Sequence, residues 1–427
     1  MQPDLDASAK AILRQNDLGG YTIPTKGLYP YQWNWDSAFS ALGIATYDMN
    51  RAWQEIETLF EGQWIDGMVP HIVFRKNDPD YFPGPTVWGA SVSPPTSGIS
   101  QPPVVATVLR ALWEGTDRSA YRQRLHRLFP KIMHWHRWFH TYRDPDDLGV
   151  IATVHPWETG RDNSAEWDQA LAAVDVSGIE AYERRDTGHV DPSMRPHAIE
   201  YDRYLGLVKF CRDINWDPEK VARECPFFVA DVGLTMILLR ADRDLLWMAV
   251  ELGEHDAVAE ISGWISAAEQ GVTRLWNDDL GAYTALDLRS GQRIDHITSS
   301  TFLAWYAGVG NGEKGDRLLD HLERFWTRAP YGVPSLDPDD ARFDSIRYWL
   351  GPVWLVVNYM IACGLFEQGQ QDVGERIRMN SRELVKRAGF YESFCPVTGK
   401  GCGGGDFSWS AAMWLAWATP GGLKAVA

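Results

Sequence analysis

The chain has little cysteine, no cluster of basic residues and no long apolar segment. Its five cysteines among 427 residues are odd in number and scattered, which favours a reducing compartment over a disulfide framework. No run approaches the roughly 20 apolar residues of a transmembrane helix. The acidic start at residues 1–6 lacks the basic and apolar regions of a signal peptide. We therefore predict a cytoplasmic protein with no membrane partner.

Acidic residues outnumber basic ones, and the net charge is −16. Without a local Lys/Arg cluster, this charge argues against nucleic acid and anionic membranes as partners. His136 and His140 have the spacing of metal ligands on a helix but lack an intervening glutamate and a third ligand. The chain has neither a phosphate-binding glycine loop nor a Gly-x-Ser-x-Gly motif. We predict no metal and no cofactor.

Tryptophan, in contrast, is abundant, with 21 residues. Several tryptophans fall in segments that we interpret as loops, among glycines, prolines and carboxylates. At such positions stacking against a ligand competes with core packing as the role of the ring. These residues are Trp33, Trp35, Trp88, Trp157 and Trp349.

Two clusters of aromatic residues and carboxylates lie in the two halves of the chain. One covers residues 155–164 and contains Glu158 and Asp162, and the other covers residues 391–410 and contains Glu392. Hydrolysis of a glycosidic bond uses two carboxyl groups, one to protonate the leaving oxygen and one to activate water or attack carbon. Aromatic side chains beside them can bind the apolar faces of sugar rings. The clusters indicate a sugar hydrolase.

Helical periodicity dominates after the first hundred residues. A clear example lies between Asp231, a good N-cap, and the stop at Gly253. Strand signals are few and are confined to hairpins around residues 277–291. No linker or repeat divides the chain, so we expect one domain, residues 1–427, in which helical hairpins form a toroid; two stacked helical domains are the alternative. The helices are predicted at about 37–48, 50–64, 102–115, 118–142, 193–212, 231–253, 254–276, 297–309, 313–328, 349–366, 369–388 and 408–417.

Two long loops, at about 66–101 and 143–190, hold much of the proline, glycine and tryptophan. Loops of this length inside a compact domain are usually functional. The Pro/Gly-rich stretch at 78–98 is a candidate lid over the substrate, and whether it moves stays open.

Five segments, in order along the chain, resemble the inverting glycoside hydrolases with an (α/α)6 barrel in the processing α-glucosidase group (glycoside hydrolase family 63-like). Within that group they are most similar to the bacterial mannosylglycerate and glucosylglycerate hydrolases. The segments are 27–36 (GLYPYQWNWD), 96–103 (TSGISQPP), 160–164 (GRDNS), 348–354 (YWLGPVW) and 391–410. The resemblance implies an all-α (α/α)6 toroid with long active-site loops and a few short β-hairpins. It also implies inverting hydrolysis of 2-O-α-mannosyl- or 2-O-α-glucosyl-glycerate to free hexose and glycerate.

The resemblance implies roles for the two carboxyl groups. Asp162 matches the general acid within Gly-x-Asp-Asn-Ser, and Glu392 matches the general base that activates water. A general acid needs a raised pKa, which apolar neighbours such as Trp157 would help to provide. Glu158 and Asp406 are the alternative carboxylates.

The same segments imply the residues that bind substrate. Asp36 would accept hydrogen bonds from sugar hydroxyls and Gln101 would donate one, while aromatic rings shape and close the pocket. The competing interpretation of these residues is an ordinary core. The implied set comprises Tyr29, Trp33, Trp35, Asp36, Gln101, Gly160, Tyr348, Trp349 and Trp354.

Glycerate carries a carboxylate, so its subsite needs a fixed positive donor, for which the planar fork of arginine is suited. Arg195 and Tyr201 match the positions that bind glycerate in the subfamily, although a surface charge at a helix start would also explain Arg195. The predicted partner is thus a small α-glycoside with an anionic aglycone. Mannose or glucose preference and homo-oligomerisation stay open. The alternatives are an inverting hydrolase of trehalose- or kojibiose-like disaccharides and a non-catalytic sugar-binding protein.

Overall fold

Helices form most of the molecule. The computed structural model describes residues 4–419, and none of the helices in that range has the length and apolar character needed to cross a bilayer. The α-helices are α1 Leu5–Gln15, α2 Asn34–Ala45, α3 Met49–Leu59, α4 Pro85–Trp88, α5 Val105–Glu114, α6 Arg118–Tyr142, α7 Asp168–Leu171, α8 Ala198–Asp213, α9 Pro218–Glu224, α10 Val232–Leu252, α11 His255–Gly271, α12 Leu303–Ala307, α13 Gly312–Arg328, α14 Leu355–Glu367, α15 Gln371–Ala388 and α16 Ser408–Met413.

Six helices close an inner ring. Along the ring α2 packs on α5, α5 on α10, α10 on α12, α12 on α14, α14 on α16, and α16 returns to α2. The outer helices α3, α6, α11 and α15 pack against this ring, and α1 covers α16. This arrangement is the predicted all-α (α/α)6 toroid.

Residue patterns explain which helices are inner and which are outer. Every residue of α14 from Leu355 to Leu365 is buried, as expected for a helix that is surrounded by others. The outer helix α13 instead buries one stripe, which includes Leu318, Leu322 and Phe325. The Asp231 side chain caps α10 by accepting a hydrogen bond from the Gly233 amide (2.7 Å), as the sequence predicted.

Short antiparallel strands connect the loops at one end of the toroid. Strands β3, β4, β7 and β8 form one sheet in that order, and β1–β2, β5–β6 and β9–β10 form two-stranded pairs. The hairpins expected near 277–291 correspond to β5–β6 and β7–β8. The strands are β1 Gln32–Trp33, β2 Ile72–Val73, β3 Ala152–Thr153, β4 Val229–Ala230, β5 Trp276–Asn277, β6 Ala282–Tyr283, β7 Leu286–Asp287, β8 Gln292–Arg293, β9 Ser393–Phe394 and β10 Gly401–Cys402.

Several predicted helix boundaries were wrong, and so was the assignment of most of the singled-out tryptophans to loops. The helix expected from 193 begins at Ala198, because Pro196 keeps Arg195 extended (φ −120°, ψ 163°). The helix expected from 349 begins at Leu355, after the turn that contains Pro352. Helices α1, α4, α7 and α9 were not predicted. Of the tryptophans that we assigned to loops, four lie in short strands or helical turns, and all five are buried.

The long loops have a hydrophobic core of their own, separate from that of the helix ring. It contains Trp33, Trp88, Trp157, Trp167 and Tyr204. A buried ion pair ties this layer to the end of α6, where Arg143 donates two hydrogen bonds of 2.8 Å to the carboxylate of Glu158. The loops at this end of the toroid are therefore packed structure.

Breaking the Arg143–Glu158 pair should destabilise the fold. Replacing Glu158 with Gln leaves the Arg143 charge buried without its partner, and we expect a loss of about 3–5 kcal/mol in the free energy of unfolding, measured with urea. Glu323→Gln breaks an exposed pair with Arg376 and should cost about 0–1 kcal/mol. Equal losses in the two variants would contradict this assignment.

Candidate active site

One pocket collects most of the residues singled out in the sequence. It encloses about 840 Å³ when its open mouth is counted. The predicted residues that line it are Tyr29, Trp33, Trp35, Asp36, Gln101, Gly160, Asp162, Arg195, Tyr201, Tyr348 and Glu392.

Glu392 is buried in the pocket wall just before β9. Its Oε1 accepts hydrogen bonds from the hydroxyls of Tyr29 (2.8 Å) and Tyr348 (3.1 Å), and its Oε2 accepts one from the Gly404 amide (3.2 Å). The glycine-rich turn is required for this arrangement. Gly403 has φ +75°, and a Cβ there would lie 2.2 Å from Oε2 of Glu392. The carboxylate is thus fixed in one orientation.

Asp162 lies in the same pocket, on the loop that joins two 3₁₀ turns. The Tyr204 hydroxyl donates a 2.7 Å hydrogen bond to its backbone carbonyl. Gly160, two residues earlier, has φ +70°, and any Cβ at that position would collide with the ring of Trp35. Burial raises the pKa of Asp162 to about 7; Arg195 opposes this rise and the charge of Glu392 adds to it. The group is therefore protonated at mildly acidic pH.

Arg195 lies beside Glu392 in the pocket, and its charge also acts on Asp162. Its Nε donates to Asp186 Oδ2 (2.9 Å), its Nη1 donates to the Tyr29 hydroxyl (2.9 Å), and Nη1 lies 3.6 Å from Oε1 of Glu392. The guanidinium also packs on the Tyr348 ring at 4.2 Å. Arg195 is 5% exposed, so its charge is held in the pocket and is not a surface charge.

Asp186 holds this arginine and was not predicted. Burial alone would raise the pKa of Asp186, but hydrogen bonds and charges from Arg184 and Arg195 lower it to about 2. It therefore stays ionised. Its position in a long irregular loop left no signal in the sequence, because its partner lies nine residues away without helical spacing.

Asp36, Gln101 and Trp35 form another part of the wall. The Gln101 Oε1 accepts a hydrogen bond from the Trp35 amide (3.2 Å). The Asp36 carboxylate forms no hydrogen bond or ion pair with a side chain between residues 4 and 419. Burial, reinforced by the charge of Glu392, raises the pKa of Asp36 well above its usual value. A buried carboxyl group without a protein partner is a ready hydrogen-bonding group for a polar ligand.

Trp349 and Trp354 do not line the pocket. Their rings stack on each other at 4.0 Å, with Trp349 beside Trp35 and Trp354 beside Tyr348. They support the wall from behind. Other residues that line the pocket were absent from our predicted site: His71, Tyr81, Phe82, Trp88, Trp157, Asp186, Phe407 and Trp409. The predicted lid supplies Tyr81, Phe82 and Trp88, but its movement stays a prediction.

The alternative carboxylates lie elsewhere. Glu158 is bonded to Arg143 outside the pocket, and Asp406 is exposed on a turn away from it. His136 and His140 both contact Asp242, and within residues 4–419 no group of three or more His, Cys, Asp or Glu side chains is arranged to bind a metal ion. The pocket therefore presents two carboxyl groups in different environments together with a fixed arginine.

Comparison with known proteins identifies the family. Residues 29–410 match the family described as the mannosylglycerate hydrolase MGH1-like glycoside hydrolase domain. The chain belongs to this family. The protein is thus a glycoside hydrolase, and the resemblance noted in the sequence is confirmed.

Individual relatives support the assignment to this glycoside hydrolase family. Mannosylglycerate hydrolase MGH1 of Selaginella moellendorffii is 48% identical over 96% of this chain and 84% of that protein. Glucosylglycerate hydrolase of Mycolicibacterium hassiacum is 34% identical over 97% of both chains. The crystal structure of GH63 mannosylglycerate hydrolase from Thermus thermophilus in complex with Tris and D-glycerate superposes with a TM-score of 0.94. It is 46% identical and covers 97% of this chain and 100% of that one.

The raised pKa of Asp162 makes the stability of this glycoside hydrolase depend on pH. A carboxyl group with a higher pKa in the folded state binds more protons when folded, so stability falls as pH rises towards 7. Asp162→Asn abolishes this loss. We compare the free energy of unfolding of the variant with that of the parent. The difference should favour the variant by roughly 2–3 kcal/mol more at pH 8 than at pH 5, because one unit of pKa shift corresponds to about 1.4 kcal/mol. Urea denaturation at both pH values measures it; a gain that is equal at both would contradict the burial argument.

Proposed function

We propose that the protein hydrolyses 2-O-α-mannosylglycerate or 2-O-α-glucosylglycerate with inversion, releasing free hexose and glycerate. The observation that carries this proposal is the pocket that brings together Asp162, whose pKa is raised by burial, the hydrogen-bonded carboxylate of Glu392 and the fixed cation of Arg195. Each group takes a separate role in the reaction.

Asp162 acts as the general acid. Its pKa of about 7 keeps it protonated in the lower physiological range, so it can donate a proton to the glycosidic oxygen as the bond breaks. The glycerate then leaves as a neutral alcohol at that oxygen. Trp157 and Gly160 line the same side of the pocket and help exclude water from the acid.

Glu392 acts as the general base. Three hydrogen bonds from Tyr29, Tyr348 and the Gly404 amide orient its carboxylate. Water activated by this group attacks the anomeric carbon from the face opposite the leaving oxygen. Inverting enzymes keep the two carboxyl groups roughly 6.5–9.5 Å apart to admit this water. An α-linked substrate therefore gives the β-sugar.

The aglycone carboxylate is bound by Arg195. In a chain with net charge −16, a local fixed cation is needed to attract an anion. Nη2 of Arg195 makes no hydrogen bond or ion pair with residues 4–419, and Tyr201 lines the same pocket with only a long 3.4 Å contact from its hydroxyl to the Phe82 carbonyl. The relative from Thermus thermophilus crystallised with D-glycerate supports this choice of aglycone.

The hexose is bound by Asp36, Gln101 and the rings of Trp33 and Trp35. Asp36 and the amide nitrogen of Gln101 are free of side-chain partners among the described residues and can pair with sugar hydroxyls. Mannosylglycerate ranks first as the substrate because the relatives with that name reach 48% identity, against 34% for the glucosylglycerate hydrolase.

The charge of Arg195 is tested by comparing a charged substrate with a neutral one. Arg195→Gln should lower kcat/KM on mannosylglycerate by roughly 10- to 150-fold, because a hydrogen bond to a charged group contributes about 1.5–3 kcal/mol. The kcat/KM on neutral methyl α-mannoside should fall markedly less. The surface variant Arg223→Gln serves as the matched control and should leave both rates unchanged.

Two outcomes would count against the proposal. Equal losses on both substrates would mean that Arg195 acts on Glu392 and not on the aglycone. Turnover of trehalose- or kojibiose-like disaccharides in preference to both glycerate compounds by the parent enzyme would assign a neutral substrate.

A further inference from the structure

A second group of buried charges lies directly behind the loop that carries Asp162. The Arg161 side chain turns away from the pocket and forms ion pairs with Glu166 and with Asp231. All three side chains are at least nine-tenths buried. We call them the Arg161 cluster.

The cluster ties the acid loop to the helix ring. Asp231 caps α10, an inner helix, through the Gly233 amide, so Arg161 connects the loop to the start of that helix. Glu166 is held in turn by the hydroxyls of Ser164 (3.0 Å) and Thr298 (3.2 Å). The loop that bears Asp162 is therefore anchored to the core by the side chain of the preceding residue, Arg161.

The backbone on either side of the acid is held as well. The Trp167 indole donates a 2.7 Å hydrogen bond to the Arg161 carbonyl, and the Arg161 guanidinium lies 4.9 Å from the centre of that ring. On the other side, the Asn163 side chain accepts a 2.9 Å hydrogen bond from the Trp349 amide. With the Tyr204 contact to Asp162 itself, these bonds leave the loop little freedom to shift.

The charges of the cluster do not cancel. One guanidinium faces two carboxylates, and neither Glu166 Oε1 nor Asp231 Oδ2 has a hydrogen-bond partner within residues 4–419. Burying such atoms without a hydrogen-bond partner costs free energy, and an arrangement kept at that cost points to a role beyond folding. Burial also raises the pKa of Asp231 to about 6, with Arg161 opposing the rise.

We propose that Arg161, Glu166 and Asp231 are positioning residues that hold the general acid Asp162 in line with the glycosidic oxygen. The inference rests on the proposed role of Asp162. None of the three touches the substrate in this scheme. Their loss displaces the acid without removing it, and displacement of a catalytic group by about 1 Å can cost on the order of 100-fold in rate.

The test uses Asp231→Asn, which removes one charge and keeps the shape and the helix-capping ability of the side chain. It compares mannosylglycerate, whose alkoxide leaving group needs a proton, with α-mannosyl fluoride, whose fluoride leaving group needs far less protonation. We expect kcat on mannosylglycerate to fall about 10- to 100-fold, with KM unchanged within about twofold. Hydrolysis of the fluoride should change by no more than about threefold.

A matched control exists on the same helix. Asp244 is buried in the C-terminal half of α10 and pairs with Arg240 (2.8 Å) and Arg110 (2.8 Å), about 20 Å along the helix axis from Asp231. Asp244→Asn removes a comparable buried charge and should lower the melting temperature without distinguishing the two substrates. If Asp231→Asn does not fold, Glu166→Gln removes the other carboxylate of the cluster and takes its place.

The outcomes separate this inference from the proposed function. Asp162→Asn should show the same pattern as the cluster variant, with a large loss of activity on mannosylglycerate and a small loss on the fluoride. If Asp162→Asn fails to show it, the role of the acid is wrong. If Asp162→Asn shows this pattern but the cluster variant loses activity equally on both substrates, or on neither, the positioning role is overturned.

Discussion

The structure is organised around the burial of two carboxyl groups in one aromatic pocket. The charge of Glu392 adds to the cost of ionising the buried Asp162, and the charge of Arg195 offsets part of that cost. Asp186 keeps the arginine in place, since its own charge is secured by Arg184 and Arg195. Removing Arg195 leaves the buried carboxyl groups without the cation that offsets their charge, so chemistry and stability are coupled at this site.

The inner helix ring holds some of the residues around the pocket in place. Asp36 and Trp35 lie in the first turn of α2, and Asp231 caps α10, so both inner helices begin at the pocket end. The loops above them are packed around buried tryptophans such as Trp88 and Trp157, which also line the pocket. The abundance of tryptophan therefore reflects both core packing and the lining of the pocket.

The fold was predictable because long amphipathic segments carry strong periodicity, and helix α10 between Asp231 and Gly253 illustrates this. Helix α1 has the same signal in Ala9, Ile12 and Leu13 but was not predicted. In the site, Glu392 could be located from its motif. Asp186 could not, because its ion pair joins irregular segments. Trp349 and Trp354 share a motif with Tyr348, but only Tyr348 reaches the pocket, a distinction of side-chain direction that spacing alone does not encode.

The central claim is that Asp162 and Glu392 form an acid–base pair that inverts the anomeric centre. A proton NMR time course of the enzyme with 2-O-α-mannosylglycerate tests it most directly, because the anomer that appears first is observed before mutarotation. The account predicts β-mannose as the first product. First appearance of α-mannose would mean retention of configuration, and Glu392 would then act as a nucleophile or not at all.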